Sequence, residues 1–344
     1  MRFLLCFLVA VAPAVAQWQP QNSGTDVSLR GISAVSSKVA WASGAKGTVL
    51  RTVDGGDHWE KLTIEGAQAL DFRNVRAFSA TTAYVMSIGP GEQSRIYKTT
   101  DAGQHWQSQF TNHQAKAFYD CFAFWDEKHG IALSDSVDGA FPLLSTSDGE
   151  SWSQVHPSHM PAALPNEGAF AASGTCIAIA GQNDVWFATG GPAARVFHSV
   201  DRGQTWTVMT SPLLSGAPSQ GIFSIAFHDP RNGVIAGGDY EHPTNQLQNF
   251  AYTHDGGAHW TLAKIQPGGY RSAIAYLGDA STKDSREFLV ATGATGTDYS
   301  TDGGNTWLPA DPAEYNAMSF AGPRGGWAVG SKGRIAKFKG LPKN

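Results

Sequence analysis

The stretch Thr52-Val-Asp54-Gly-Gly56-Asp-His-Trp59 is the first of five full copies of one pattern, Ser/Thr-x-Asp-x-Gly-x-x-Trp. The others end in Trp106, Trp206, Trp260 and Trp307, and a sixth copy, Thr146-Ser-Asp148-Gly149-Glu-Ser-Trp152, is one residue short. The tryptophans fall 47, 46, 54, 54 and 47 residues apart. A period of this size marks an array of repeated units, each too small to bury its own apolar face, so the units must stack.

The chemistry of the box explains why it recurs. An Asp in a tight turn accepts hydrogen bonds from backbone N–H groups just beyond it, and Ser or Thr does the same from a strand end. Gly supplies a positive φ, and Trp anchors the next strand in an apolar layer. Asp54, Asp101, Asp148, Asp201, Asp255 and Asp302 are therefore read as turn staples and not as an array of catalytic carboxylates. Trp59, Trp106, Trp152, Trp206, Trp260 and Trp307 are read as anchors of the strand that follows.

Working outward, a short alternating run precedes each box. Ile32-Ser33-Ala34-Val35 aligns with Val75-Arg76-Ala77-Phe78, Cys121-Phe122-Ala123-Phe124 and Cys176-Ile177-Ala178-Ile179. It continues with Ser224-Ile225-Ala226-Phe227, Ala273-Ile274-Ala275-Tyr276 and Ala317-Met318-Ser319-Phe320. Period-2 alternation is a strand signal, and seven runs make seven units. A second strand, a third strand, the box and a post-box strand complete each unit. The seventh unit stops at Phe338 without a box, and Gln17-Trp18-Gln19-Pro20 resembles the missing post-box strand. The reading is all-β: a seven-bladed β-propeller of four-stranded antiparallel blades, closed by the N-terminal strand, which hides the edges an open array would expose.

Residues 1–16 read as a secretory signal peptide, with Arg2, an apolar stretch from Phe3 to Ala12, and Ala14-Val15-Ala16 as the cleavage site. Residues 17–344 are then a single propeller, exported to a periplasm or the exterior, with no transmembrane segment in the mature chain. A net charge of −4 favours neither nucleic acid nor an anionic membrane. Cys121 and Cys176 would pair by default in an exported protein. Because both occupy the same position of adjacent blades, alternation should point both the same way around the ring, so two buried free thiols are expected.

In this architecture the loops leading into the innermost strands share one face with the loops between second and third strands, and the boxes lie opposite. Two residues ahead of the aligned runs stand Arg271, Tyr315, Arg30, Arg73 and Tyr119, in five successive blades. They are read as an arc at the channel mouth, with Lys46 and Lys332 nearby. Arg suits bidentate recognition of carboxylate, sulfate or phosphate; the alternative is an arc of solvated residues paired with Asp71, Asp120 or Glu314. Three longer loops could also carry function: Ser134–Gly139, the leading loop of blade four from His156 to Gly168, and Gly238–Asn249. His156-x-x-His159 lacks an evident third ligand, so no metal is expected. No nucleotide-binding or nucleophile-elbow motif is present and no cofactor is expected.

The boxes, together with Gly326-Trp327-Ala-Val-Gly330, resemble the photosystem II stability/assembly factor family of BNR/Asp-box propellers. That resemblance implies an exported seven-bladed scaffold that binds a protein partner, a membrane-protein assembly intermediate, with an arginine patch for which Arg30, Arg73 and Arg271 are the matching positions here. It is a binding rather than a catalytic reading; an anionic ligand or glycan is the other partner class. Sialidases share the box and the propeller, and a sialidase-like glycoside hydrolase is the alternative. The nearest element to their Arg-Ile-Pro opening is Arg30-Gly-Ile32.

Overall fold

A computed structural model describes residues 17–278, 286–323 and 325–341, so the leader read in residues 1–16 lies outside the described residues. Seven antiparallel sheets form the seven blades. Blade one is typical: Leu29–Ala34, Ala40–Gly44, Thr48–Thr52 and Glu60–Leu62 run from the axis outward. Blade five carries a fifth, two-residue strand, Gly190–Gly191, on the inner edge of its long first strand Ala217–Phe227. A 3-10 turn, Gly91–Gln93, precedes the third strand of blade two.

The ring closes as expected. Trp18–Gln21 pairs with Ile335–Phe338 as the outer strand of blade seven. Trp18 is buried, its indole Nε1 donating to Thr297 Oγ1 of blade six at 3.1 Å and its backbone N–H to Asp311 Oδ2 at 3.2 Å.

The box works as its residues dictate. The Thr52 hydroxyl donates to Asp54 Oδ1 and accepts from Gly56 N–H at 2.8 Å, while Asp54 Oδ1 also accepts from His58 N–H at 3.0 Å. The pattern glycine of each full box (Gly56, Gly103, Gly203, Gly257 and Gly304) has φ between 84° and 92°. At Gly103 a Cβ would stand 2.5 Å from Leu62 of the preceding blade, so the box is also a seam between blades. Hydrogen bonding to the turn holds the carboxyls of Asp101 and Asp255 down at about 2.

Strand pairing corrects the alignment of the inner strands by one residue. In blade one the register skips from Leu29↔Gly44 to Gly31↔Ser43, leaving Arg30 as the extra residue of a β-bulge. Arg73, Asp120 and Phe223 are the extra residues of blades two, three and five. Blade one therefore ends its inner pairing at Ala34↔Ala40, blade two at Ala77↔Ala83 and blade three at Phe124↔Gly130. Ile32 and Val75 thus match Phe122, not Cys121. The residues in register with Arg30 and Arg73 are Asp120, Phe223, Ser272 and Asn316, not Tyr119, Arg271 and Tyr315.

The expectation of two free thiols is also corrected. Cys121 and Cys176 form a disulfide, with Cα atoms 6.1 Å apart. Alternation constrains a side chain only inside a paired strand. Cys176 stands one residue ahead of Ile177–Ala180, where the chain is still arriving from across the channel. It packs with Cys121 and the blade three core, whereas Ala178 packs toward blade five.

Candidate binding site at the loop face

The leading loop of blade four does more than connect. Its segment Phe170–Thr175 crosses the axial channel and is tied to four other blades. Ser173 Oγ donates to Ser272 O of blade six at 2.7 Å, and Thr175 Oγ1 shares a hydrogen bond with Ser224 Oγ of blade five. The Ala171 and Ala172 carbonyls accept from Arg73 and Arg30 of blades two and one. A buried ion pair holds the loop upstream: Glu167 meets Arg195, and also accepts from Thr189 Oγ1 at 2.6 Å and Leu164 N–H at 2.8 Å. The segment divides the channel. Phe170–Ala172 line a loop-face pocket of about 370 Å³, and Ser173–Thr175 line a box-face compartment of about 360 Å³.

The loop-face pocket brings together Arg30, Arg73 and Tyr315, with Glu314 at its rim. Bulges re-aim side chains beside sites, and here two of them aim the guanidiniums. Arg73 Nε donates to Asp71 Oδ2 at 2.9 Å and Nη1 to Ala171 O at 2.9 Å. Arg30 makes one long contact, Nη1 to Ala172 O at 3.4 Å. Among the described residues, Arg73 Nη2 and Arg30 Nε and Nη2 have no partner, so an incoming anion finds donors in place. Burial lowers the pKa of Arg30, and the neighbouring Arg73 charge lowers it further; a bound anion would relieve both effects. Facing the arginines is an aromatic wall. Phe170 stacks on Phe223 at 3.8 Å, Tyr270 meets Phe223 edge-on at 4.8 Å, and the exposed Tyr240 completes it. Burial raises the pKa of Tyr315 to about 12 and also raises that of Tyr270, so both phenols are hydrogen-bond donors near neutral pH.

Two residues of the expected arc lie elsewhere. Arg271 is buried and ion-paired with Asp298, and it also donates to Tyr270 O and Thr295 Oγ1. It is a structural clamp inside blade six. Tyr119 is buried against Phe110, 5.4 Å between rings. Lys46 and Lys332 are exposed, each at positive φ in the turn between second and third strands, and do not line the pocket. Of the acidic partners considered, Asp71 pairs with Arg73 and Glu314 approaches Arg334 at 3.9 Å. Asp120 is buried with Oδ2 unpartnered, and burial beside Asp135 holds it well above the usual carboxylate range. His156 and His159 gather no third ligand, and no metal-binding cluster occurs among the described residues. Sequence reasoning missed the aromatic wall. Tyr270 and Phe223 adjoin positions that it did single out, but bulges are not visible in a period-2 pattern.

Together these features define a class: a seven-bladed Asp-box propeller whose loop face carries an arginine-and-aromatic pocket. Residues 10–114 match the sequence model of the family described as photosynthesis system II assembly factor YCF48. Among solved structures the chain is similar to YCF48 bound to D1 peptide, with a TM-score of 0.68 and 15% identity over 95% of this chain and 98% of that one. It is also similar to YCF48 from Cyanidioschyzon merolae, with a TM-score of 0.63 and 18% identity over 94% and 99%. No curated protein matches the sequence significantly. The family match covers less than a third of the chain, and the solved structures share its fold.

Proposed function

We propose that this propeller is an exported binding scaffold that holds a carboxylate-bearing segment of a protein partner in the loop-face pocket. The observation that carries the reading is the pair of bulge arginines with unengaged donors opposite an apolar, aromatic wall. A carboxylate takes the guanidiniums, and the apolar side chain beside it takes the Phe170–Phe223 wall. The similar propeller bound to a D1 peptide supports a protein partner over a free glycan. Since the ring is rigid and the arginines are oriented in advance, little ordering is required on binding.

The test is fluorescence anisotropy with a labelled acidic peptide ending in a free carboxylate and with its C-terminal amide. The wild type should bind the free peptide, and Arg30→Gln and Arg73→Gln should each weaken it roughly 10- to 100-fold, the worth of a charged hydrogen bond. Equal binding by the variants, or by Arg30→Glu/Arg73→Glu, would remove the site. Export is checked by the mass of the protein recovered outside the cytoplasm, which should begin at Gln17.

A further inference from the structure

The box-face compartment of the channel has a distinct chemistry. With the register corrected, one equivalent position of every inner strand lines it. Six blades place a small residue there: Ser33, Ala123, Ala178, Ala226, Ala275 and Ser319. Blade two alone places Arg76. It is the only charged side chain lining the compartment among the described residues. Its guanidinium lies 5.4 Å from the Phe78 ring and has no hydrogen-bond or ion-pair partner among the described residues. The remaining wall is mostly apolar, aliphatic as well as aromatic, and includes Phe124, Phe227, Tyr276 and Phe320.

Arg76 is exposed to the channel and has no counter-charge, so its guanidinium donors are open to an incoming anion. The ring of Ala and Ser keeps the space beside it open, and the volume of about 360 Å³ is that of a small-molecule site.

We propose that the box-face compartment binds a small organic anion, its carboxylate or sulfonate on Arg76 and its apolar body against Phe124, Phe227, Tyr276 and Phe320. The fork of the guanidinium matches the planar carboxylate, and the rings match a flat hydrophobic body. The site is separate from the loop-face pocket, because Phe170–Thr175 lies between the two.

The probe is benzoate, with sodium sulfate beside it, titrated calorimetrically into the wild type. Benzoate should bind with a Kd of about 1 mM or tighter. Arg76→Gln should weaken it roughly 10-fold or more, while Arg30→Gln/Arg73→Gln should leave it within about a factor of two, as expected for non-contacting sites. Sulfate should bind more weakly than benzoate, because it leaves the rings uncovered. A second measurement needs no variant: crystals soaked in 4-bromobenzoate should show anomalous bromine density between Arg76 and the Phe124 side of the bore. No benzoate binding by the wild type, binding retained in Arg76→Gln, loss only in the Arg30/Arg73 variant, or bromine located elsewhere would each overturn the proposal.

Discussion

The Ala171 carbonyl accepts a 2.9 Å hydrogen bond from Nη1 of Arg73, 98 residues away in sequence and two blades away in the ring. This contact makes the crossing segment of blade four part of the site, because it fixes the guanidinium in one orientation with Nη2 left for a ligand. Replacing Arg73 by Lys keeps the charge but not the fork. Arg73→Lys should therefore weaken carboxylate-peptide binding by at least about 5-fold while leaving the urea midpoint near that of the wild type. Full peptide affinity in Arg73→Lys would mean that charge alone suffices.

The disulfide between Cys121 and Cys176 anchors the end of the same segment to blade three. Removing a native disulfide costs about 2–5 kcal/mol. Cys121→Ser/Cys176→Ser should lose about that much in urea unfolding, and adding reductant should bring the wild type to the same midpoint. A midpoint unaffected by either change would contradict the role.

Arg271 and Asp298 form a buried ion pair within blade six. Breaking such a pair leaves an uncompensated buried charge, at about 3–5 kcal/mol. Asp298→Ala should therefore be strongly destabilised in urea, whereas peptide affinity per folded molecule should not change. A specific loss of affinity with stability intact would return Arg271 to the recognition surface.

Asp135 lies near Asp120 and accepts a hydrogen bond from Ala169 N–H at 2.8 Å. Burial raises its pKa to about 6. The native state then holds more protons than the unfolded chain between about pH 4 and that value, so stability should rise as pH falls from 7 to 5. Asp135→Asn keeps the acceptor and loses the charge. It should stabilise the protein at pH 7 and flatten the rise, measured as urea midpoints at both pH values. An unchanged slope would show that Asp135 titrates normally in the native state.

The sequence made the ring legible because its repeat is chemical as well as numerical. The box residues stand at fixed spacing, and Thr52, Asp54 and Gly56 make in the structure the bonds their types require. Blade count and closure through Trp18 followed from the same repeat. The site was only partly legible, because a bulge inserts one residue without any compositional mark. Arg30 and Arg73 were found since they are the bulge residues themselves, while Arg271 was taken into the arc through a frame one residue out. Phe170 was not predicted, because a loop that crosses the axis is fixed by partners in four other blades and not by its own neighbours.

Trp18, which is 2% exposed, pairs across the closure with Phe338. Truncating such a buried ring costs about 3–5 kcal/mol. Trp18→Ala should therefore open blade seven first, seen as early proteolysis near the closure, and uniform cleavage around the ring would argue against a weak point there.

The same pairing gives the fold a temporal order. The strand around Trp18 is made before the first blade and its partner around Phe338 after the sixth, so the closure waits on all the blades between them. Until then the Trp18 indole and the unpaired strand that carries it must be kept from wrong edges. Six blades can assemble from near neighbours as they emerge, but the circle is complete only when the strand made before the first blade meets the last strand of the seventh, and in that sense the ring checks its own blade count before it shuts.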